Sequence, residues 1–148
     1  MIRSANRLRL CATLICINLI FIWGNSLLPG HISGAFSDWV KGLLAPLLGQ
    51  GPGGGGGGLL RKVAHFTEFA CLGMCFRWLF GMLNKAKAKQ LLFPLLWAFA
   101  VACIDETIQI FVPDRGPGIK DVLLDTFGAV VGITVLTLGY IAKKNRTK

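Results

Sequence analysis

The chain has 148 residues, 53% of them hydrophobic and only 16% charged, a balance that excludes an ordinary water-soluble domain and points to the membrane class. Its formal net charge of +9 raises nucleic acid as a partner, but the positions of the basic residues decide against it. The length suits one domain.

A membrane-crossing helix takes about 20 mostly apolar residues, and four windows qualify: 10–28, 59–79, 91–112 and 122–141. The expected fold is therefore all-α, an integral membrane bundle of four transmembrane helices. The first window follows Arg3, Arg7 and Arg9 and is nearly free of polar residues. A signal peptide shares that basic start, but the apolar run from Leu10 to Ile22 is long for a signal core. No small-x-small cleavage site follows it, so a retained first helix is expected over residues 1–28.

Residues 29–58 read as an outward-facing loop. Within it AFSDWVKGLLAPLL, 35–48, is a short amphipathic candidate that would lie along the headgroup region with Trp39, a disordered loop being the alternative. The six glycines at 53–58 have no side chains to bury and read as a flexible linker. No Gly-Lys-Ser/Thr follows them, which excludes a phosphate-binding P-loop.

Residues 59–148 form a core of three further spans with a basic tail. Lys62, His65 and Glu68 interrupt the second window, and Asp105, Glu106 and Gln109 interrupt the third, where LLFPLLWAFAVAC runs straight into IDETIQIFVPDR. The loop PDRGPGIKD reads as a tight turn holding Arg115 near the carboxylates, and the fourth window opens with Asp121 and Asp125. Asp121 has two readings of equal weight, a helix cap or a ligand contact. All five cysteines fall inside the windows; small apolar packing is expected of them, with no zinc pair or disulfide framework.

With the N-terminus in the cytoplasm, eleven of the sixteen Lys and Arg residues lie inside, including Arg77, the KAKAK loop and the tail KKNRTK. Both termini are therefore expected to be cytoplasmic, and the positive charge is a topology signal that also touches anionic lipid. The lipid bilayer is the expected partner, and nucleic acid is not.

On that topology the membrane acids share a level. At 1.5 Å per residue, His65 and Glu68 lie about 9 and 13 Å from the outer end of the second helix. Gln109, Glu106 and Asp105 lie about 5, 9 and 10 Å below the end of the third, and Asp125 about 6 Å below Asp121. Residues three or four apart share a helix face, so each set forms one stripe, the last continuing as Gly128 and Gly132 in the small-xxx-small spacing of close helix contacts. Five of the seven acids thus sit in or at the edge of spans, where an ionised group costs a few kcal/mol unless paired or hydrated. A polar pocket facing outward and shared by three helices is expected.

In KVAHFTEFACLG, 62–73, and DETIQIFVPDRGPGIKDVLLDTFGAVVG, 105–132, the sequence resembles the VanZ-like family of small membrane proteins. The resemblance covers the last three spans. The family's motif positions are filled by Lys62, His65, Phe66, Glu68 and Phe69, by Asp105, Glu106, Gln109 and Phe111, by Arg115, and by Asp121, Asp125 and Gly128. Phe69 stands where Tyr is frequent and Asp125 where Asn is frequent. The resemblance implies a bacterial cell envelope and multi-pass placement in the cytoplasmic membrane; the family is named for a protein associated with resistance to the glycopeptide teicoplanin.

The pocket residues, Lys62, His65, Glu68, Asp105, Glu106, Gln109, Arg115, Asp121 and Asp125, support three readings. In the first, Lys62, Arg115 and Lys120 hold the phosphate of an envelope lipid or cell-wall precursor while carboxylates orient its sugar or amine groups. In the second, His65 with Glu68, Glu106 and Asp125 holds a metal or performs acid–base chemistry on a lipid-linked substrate. In the third, the polar groups only pair with one another: Lys62 or Arg115 with Asp121, His65 with Glu106, and Gln109 with backbone. No motif specifies a cofactor.

Overall fold

The computed structural model describes residues 2–48, 57–83, 86–116 and 118–146. Among these the chain is all α, with helices α1 (Ile2–Leu27), α2 (Gly30–Leu48), α3 (Gly57–Leu83), α4 (Lys87–Ile110) and α5 (Ile119–Arg146) and no strand. Four stretches, Ser4–Leu27, Leu60–Leu83, Lys87–Ile110 and Ile119–Arg146, are long and apolar enough to cross a membrane. They coincide with the four sequence windows, mostly lengthened by about a turn because the helices continue into their polar flanks.

The segment 35–48 expected to be amphipathic is helical, and its helix begins earlier, at Gly30. Pro29 separates α2 from α1 because it has no N–H with which to continue the first helix. Its carbonyl instead accepts the first hydrogen bonds of α2, from the N–H groups of Ile32 (3.0 Å) and Ser33 (3.1 Å). Of the glycine run, Gly57 and Gly58 open α3, while residues 53–56 lie outside the described residues.

Helix α3 is central and packs against each of the other four. Its closest approach is to α5, where both helices present glycine. Gly128 and Gly132 of α5 face the backbone of Phe66 and Ala70, and Gly73 of α3 faces the backbone of Ala129. A Cβ on Gly128 would stand 2.5 Å from the Phe66 carbonyl oxygen, and one on Gly132 would meet the Ala70 carbonyl closer still. In lipid, helix association depends on such close packing and on polar contacts, since water exclusion contributes little. Beside this seam Phe69, Leu72, Phe76, Ala98, Val101, Ala102 and Ala129 form the apolar core with Cys11, Ile15 and Ile22 of α1. The five cysteines are unpaired.

The outer surface suits hydrocarbon. Ile17, Ile20, Phe21, Leu92, Trp97, Phe127, Val135 and Leu138 all face outward. The hydroxyls of Thr67, Thr107, Thr126, Thr134 and Thr137 each donate to the carbonyl four residues earlier in their own helix. None of those hydroxyls needs water as an acceptor.

Because the α3–α5 contact leaves no room for a methyl group, Gly132→Ala should destabilise the bundle by about 1–3 kcal/mol. Gly139→Ala, whose Cβ meets nothing within 4 Å, should be close to neutral or slightly stabilising. Thermal unfolding of the two variants in detergent checks both.

Candidate functional site

The α3–α5 seam fixes which faces of these helices meet, and with it where their polar stripes go. At one end of the bundle α3 and α5 begin and α1 and α4 finish. Here the nine residues singled out in the sequence fall into two groups, a buried cluster and the groups around it.

Gln109 is the hub of the cluster. Its Oε1 accepts from Arg61 Nη2 (2.9 Å), while its Nε2 lies within hydrogen-bond reach of Asp105 Oδ2 (2.9 Å), Glu106 Oε1 (3.2 Å) and Ser26 Oγ (3.3 Å). Asp105 Oδ2 also accepts from Ser26 Oγ (2.9 Å), and Glu106 Oε2 accepts from the N–H of Gly118 (2.7 Å). Glu68 Oε1 accepts from Asn25 Nδ2 (2.9 Å). His65 Nδ1 lies 3.9 Å from Asp105 Oδ2. Asp105, Glu106, Gln109 and Asp125 are all buried.

Asp125 stands apart. It is 1% exposed, yet among the described residues neither carboxylate oxygen has a hydrogen-bond partner. Asp105 Oδ1 and Glu68 Oε2 are buried and unpartnered in the same way. A buried polar atom normally has a partner, so this concentration at one place calls for a reason.

Two small cavities adjoin the cluster. The first, about 130 Å³, is lined by Arg61, Lys62, His65, Glu106, Gln109, Gly116, Asp121, Leu124 and Asp125. The second, about 170 Å³, lies toward α2 and is lined by Asn25, Ser33, Ser37, Val40, Leu60, Arg61, Ala64, His65 and Glu68. Arg61 and His65 line both. Lys62 and Asp121, the more exposed pair, form an ion pair at 3.8 Å beside the first. Asp121 lies inside the first turn of α5, where its charge also suits the helix dipole.

Arg115 does something other than expected. Its Nε donates to the Leu28 carbonyl (3.0 Å) and its Nη2 to the Asn25 carbonyl, so it caps the end of α1 and does not pair with Asp121. A helix leaves its last carbonyls unsatisfied, and a guanidinium can serve two at once. Burial pushes the Arg115 guanidinium down from its ordinary value, the charge of Arg61 adding to this and Asp105 and Glu106 opposing it. The same corner is held by Gly30, whose N–H donates to the Pro113 carbonyl (3.1 Å) and whose missing side chain leaves room for the Asp114 backbone. Asp114 takes a left-handed conformation (φ 58°) and faces His31 Nδ1 at 3.1 Å.

The expected pairings are thus partly redrawn. Lys62 does meet Asp121, but His65 stands by Asp105 where Glu106 was expected, and Gln109 bonds side chains where backbone was expected. Three participants were missed: Asn25, Ser26 and Arg61. The adjacent polar pair ending a mostly apolar first window was the signal for the first two. For Arg61 the signal was its i, i+4 spacing to His65.

A helical bundle with four spans and a buried polar cluster shared by all four defines a multi-pass membrane protein. The VanZ/LLP1 family model matches residues 5–140, nearly the whole chain, and the protein belongs to that family. The match includes the first span, in keeping with the part Asn25 and Ser26 play in the cluster. No curated protein and no solved structure matches the chain.

Removing the cap on α1 should loosen the corner that carries Asn25 and Ser26. Arg115→Ala is expected to cost about 1.5–3 kcal/mol, the range of hydrogen bonds that involve a charged group. Arg115→Lys should recover less than half of that, because an ammonium lacks the fork that spans two carbonyls. Unfolding temperatures of the purified variants measure both.

Proposed function

We propose that the protein binds the polar headgroup of a phosphorylated amphiphile, an envelope lipid or a lipid-linked cell-wall precursor, in the cavity between α3, α4 and α5. The observation that carries this reading is the cavity's mixed lining. Arg61 and Lys62 stand beside Asp125, whose oxygens are buried and unpartnered, within a bundle whose outer face is apolar. Arg61 and Lys62 supply donors for phosphate oxygens, and the unused carboxylate oxygens accept from sugar hydroxyls or an amine. The amphiphile's chain stays in the surrounding hydrocarbon, so only the headgroup has to enter.

The charge distribution supports cytoplasmic termini, and with that orientation this end of the bundle would face the outer leaflet of a bacterial cytoplasmic membrane. There α2, with Trp39 exposed, would rest at the headgroup level. A finished lipid-linked cell-wall precursor is presented and consumed at that leaflet, and through such a ligand the protein would bear on the teicoplanin-type resistance for which the family is named. Polar contacts within the chain alone give no account of why both oxygens of the buried Asp125 are without a partner.

Native mass spectrometry of the full chain, titrated separately with phosphatidylglycerol and with a polyprenyl diphosphate sugar, tests this reading and separates the two sources. A single bound amphiphile is expected, with Arg61→Gln weakening it about 10-fold or more. No saturable binding of either probe, or binding unchanged in Arg61→Gln, contradicts it. Independently, a reporter fused after Lys148 should read as cytoplasmic, and an external reading would move the cavity to the other leaflet.

A further inference from the structure

We infer that His65, Asp105 and Asp125 form a binding site for a divalent cation of the Mn²⁺ or Zn²⁺ type. The three residues come from α3, α4 and α5, and a ligand atom from each lies within 4.8 Å of the other two. A cation held at about 2.1 Å from imidazole nitrogen and carboxylate oxygen needs its ligands roughly 3–4 Å apart. His65 Nδ1 lies 3.9 Å from Asp105 Oδ2, within that range, and the unpartnered Oδ1 belongs to the same carboxylate; separations of up to 4.8 Å within the group would have to shorten on binding.

The hydrogen bonding around the three residues leaves them ready for such an ion. Both oxygens of Asp125 and Oδ1 of Asp105 are buried without a partner. The other oxygen of Asp105 is held by Ser26 and Gln109, the kind of outer contact that orients a ligating carboxylate. Of the two glutamates that the sequence suggested for a metal set with His65 and Asp125, Glu106 accepts on both oxygens, from Gln109 and Gly118. Glu68 keeps Oε2 unpartnered but falls outside the group whose ligand atoms lie within 4.8 Å of one another. The structure thus replaces both glutamates by Asp105.

Charge points the same way. Among the described residues neither Arg61 nor Arg115 forms an ion pair with Asp105 or Asp125: Arg61 donates to Gln109 and Arg115 to the carbonyls of α1. Two carboxylates brought together in a low-dielectric interior call for a counter-charge, and a dication bound to both supplies it. One imidazole with two carboxylates suits Mn²⁺ and Zn²⁺ better than the soft cations that prefer thiolate. Three protein ligands also leave coordination positions open, as at sites that exchange ligands. If the headgroup reading above holds, phosphate oxygens would take those positions, since His65 and Asp125 line the same cavity as Arg61 and Lys62. The cation site itself does not depend on that reading.

The test uses full-length protein stripped with EDTA and titrated with Mn²⁺ alone, with no amphiphile added. Wild type is expected to bind a single Mn²⁺ per chain, with electron spin echo modulation from a directly coordinated ¹⁴N, the imidazole of His65. Asp125→Asn and Asp105→Asn should each weaken binding at least about 10-fold. Asp114→Asn, which removes an exposed carboxylate at the same end and suits the left-handed backbone there, should not change it. Absence of saturable binding, absence of the nitrogen coupling in wild type, or equal loss in Asp114→Asn would overturn the proposal. The nitrogen coupling is read on wild type, so the outcome holds even if a variant fails to fold. Loss of amphiphile binding with the Mn²⁺ site intact would sink the headgroup reading alone.

Discussion

The close approach of α3 and α5 is the contact on which the rest depends. Gly73, Gly128 and Gly132 let the two backbones meet without intervening side chains. Because the helices are so near, residues one or two turns from the seam have little freedom in where they point. His65 and Asp125 therefore lie on the same side of the contact as the apolar Phe69 and Ala129, and the acids cannot turn outward to lipid without breaking it. What looks in the sequence like a costly placement of charge follows from a packing decision made by glycine.

The polar end is held by a second device, independent of the first. The α1–α2 corner is fastened to the loop before α5 through Arg115 and Gly30, with His31 beside Asp114. This brings Asn25 and Ser26 down onto Glu68 and Asp105. The first span thereby belongs to the cluster, and the family match extends through it. Each carboxylate in the cluster has at least one oxygen tied by a neighbour except Asp125, where both remain available. The site is thus rigid in most of its members and open at one.

Much of this was legible in the sequence. Spans and helical class followed from the length and purity of the apolar windows, and the polar stripes followed from i, i+3 and i, i+4 spacing. Residues 128 and 132 announced a close contact but not its partner, because spacing identifies a face and not what lies against it. Arg115 was expected near the carboxylates, with either it or Lys62 paired to Asp121; Lys62 makes that pair, and Arg115 serves the unsatisfied carbonyls at the end of α1. Asn25 and Ser26 were missed because two polar residues at the end of a span are ordinary, and only tertiary packing makes them partners of residues 43 and 79 positions away. The pairing of His65 with Asp105, where Glu106 was expected, turns on side-chain azimuth, which adjacent residues in one helix do not share.

On the function proposed above, Asp125 is kept for something the protein binds, at the expense of the stability of the ligand-free protein. A residue held for a ligand should destabilise the ligand-free state, since it leaves a buried carboxyl group without partners among other acids. A residue held for structure should do the opposite. The most direct measurement is the unfolding temperature of wild type and Asp125→Asn, both freed of lipid and treated with EDTA. If Asp125 is held for a ligand, the variant unfolds several degrees higher. A variant that unfolds lower would mean that Asp125 braces the bundle, and would contradict that reading.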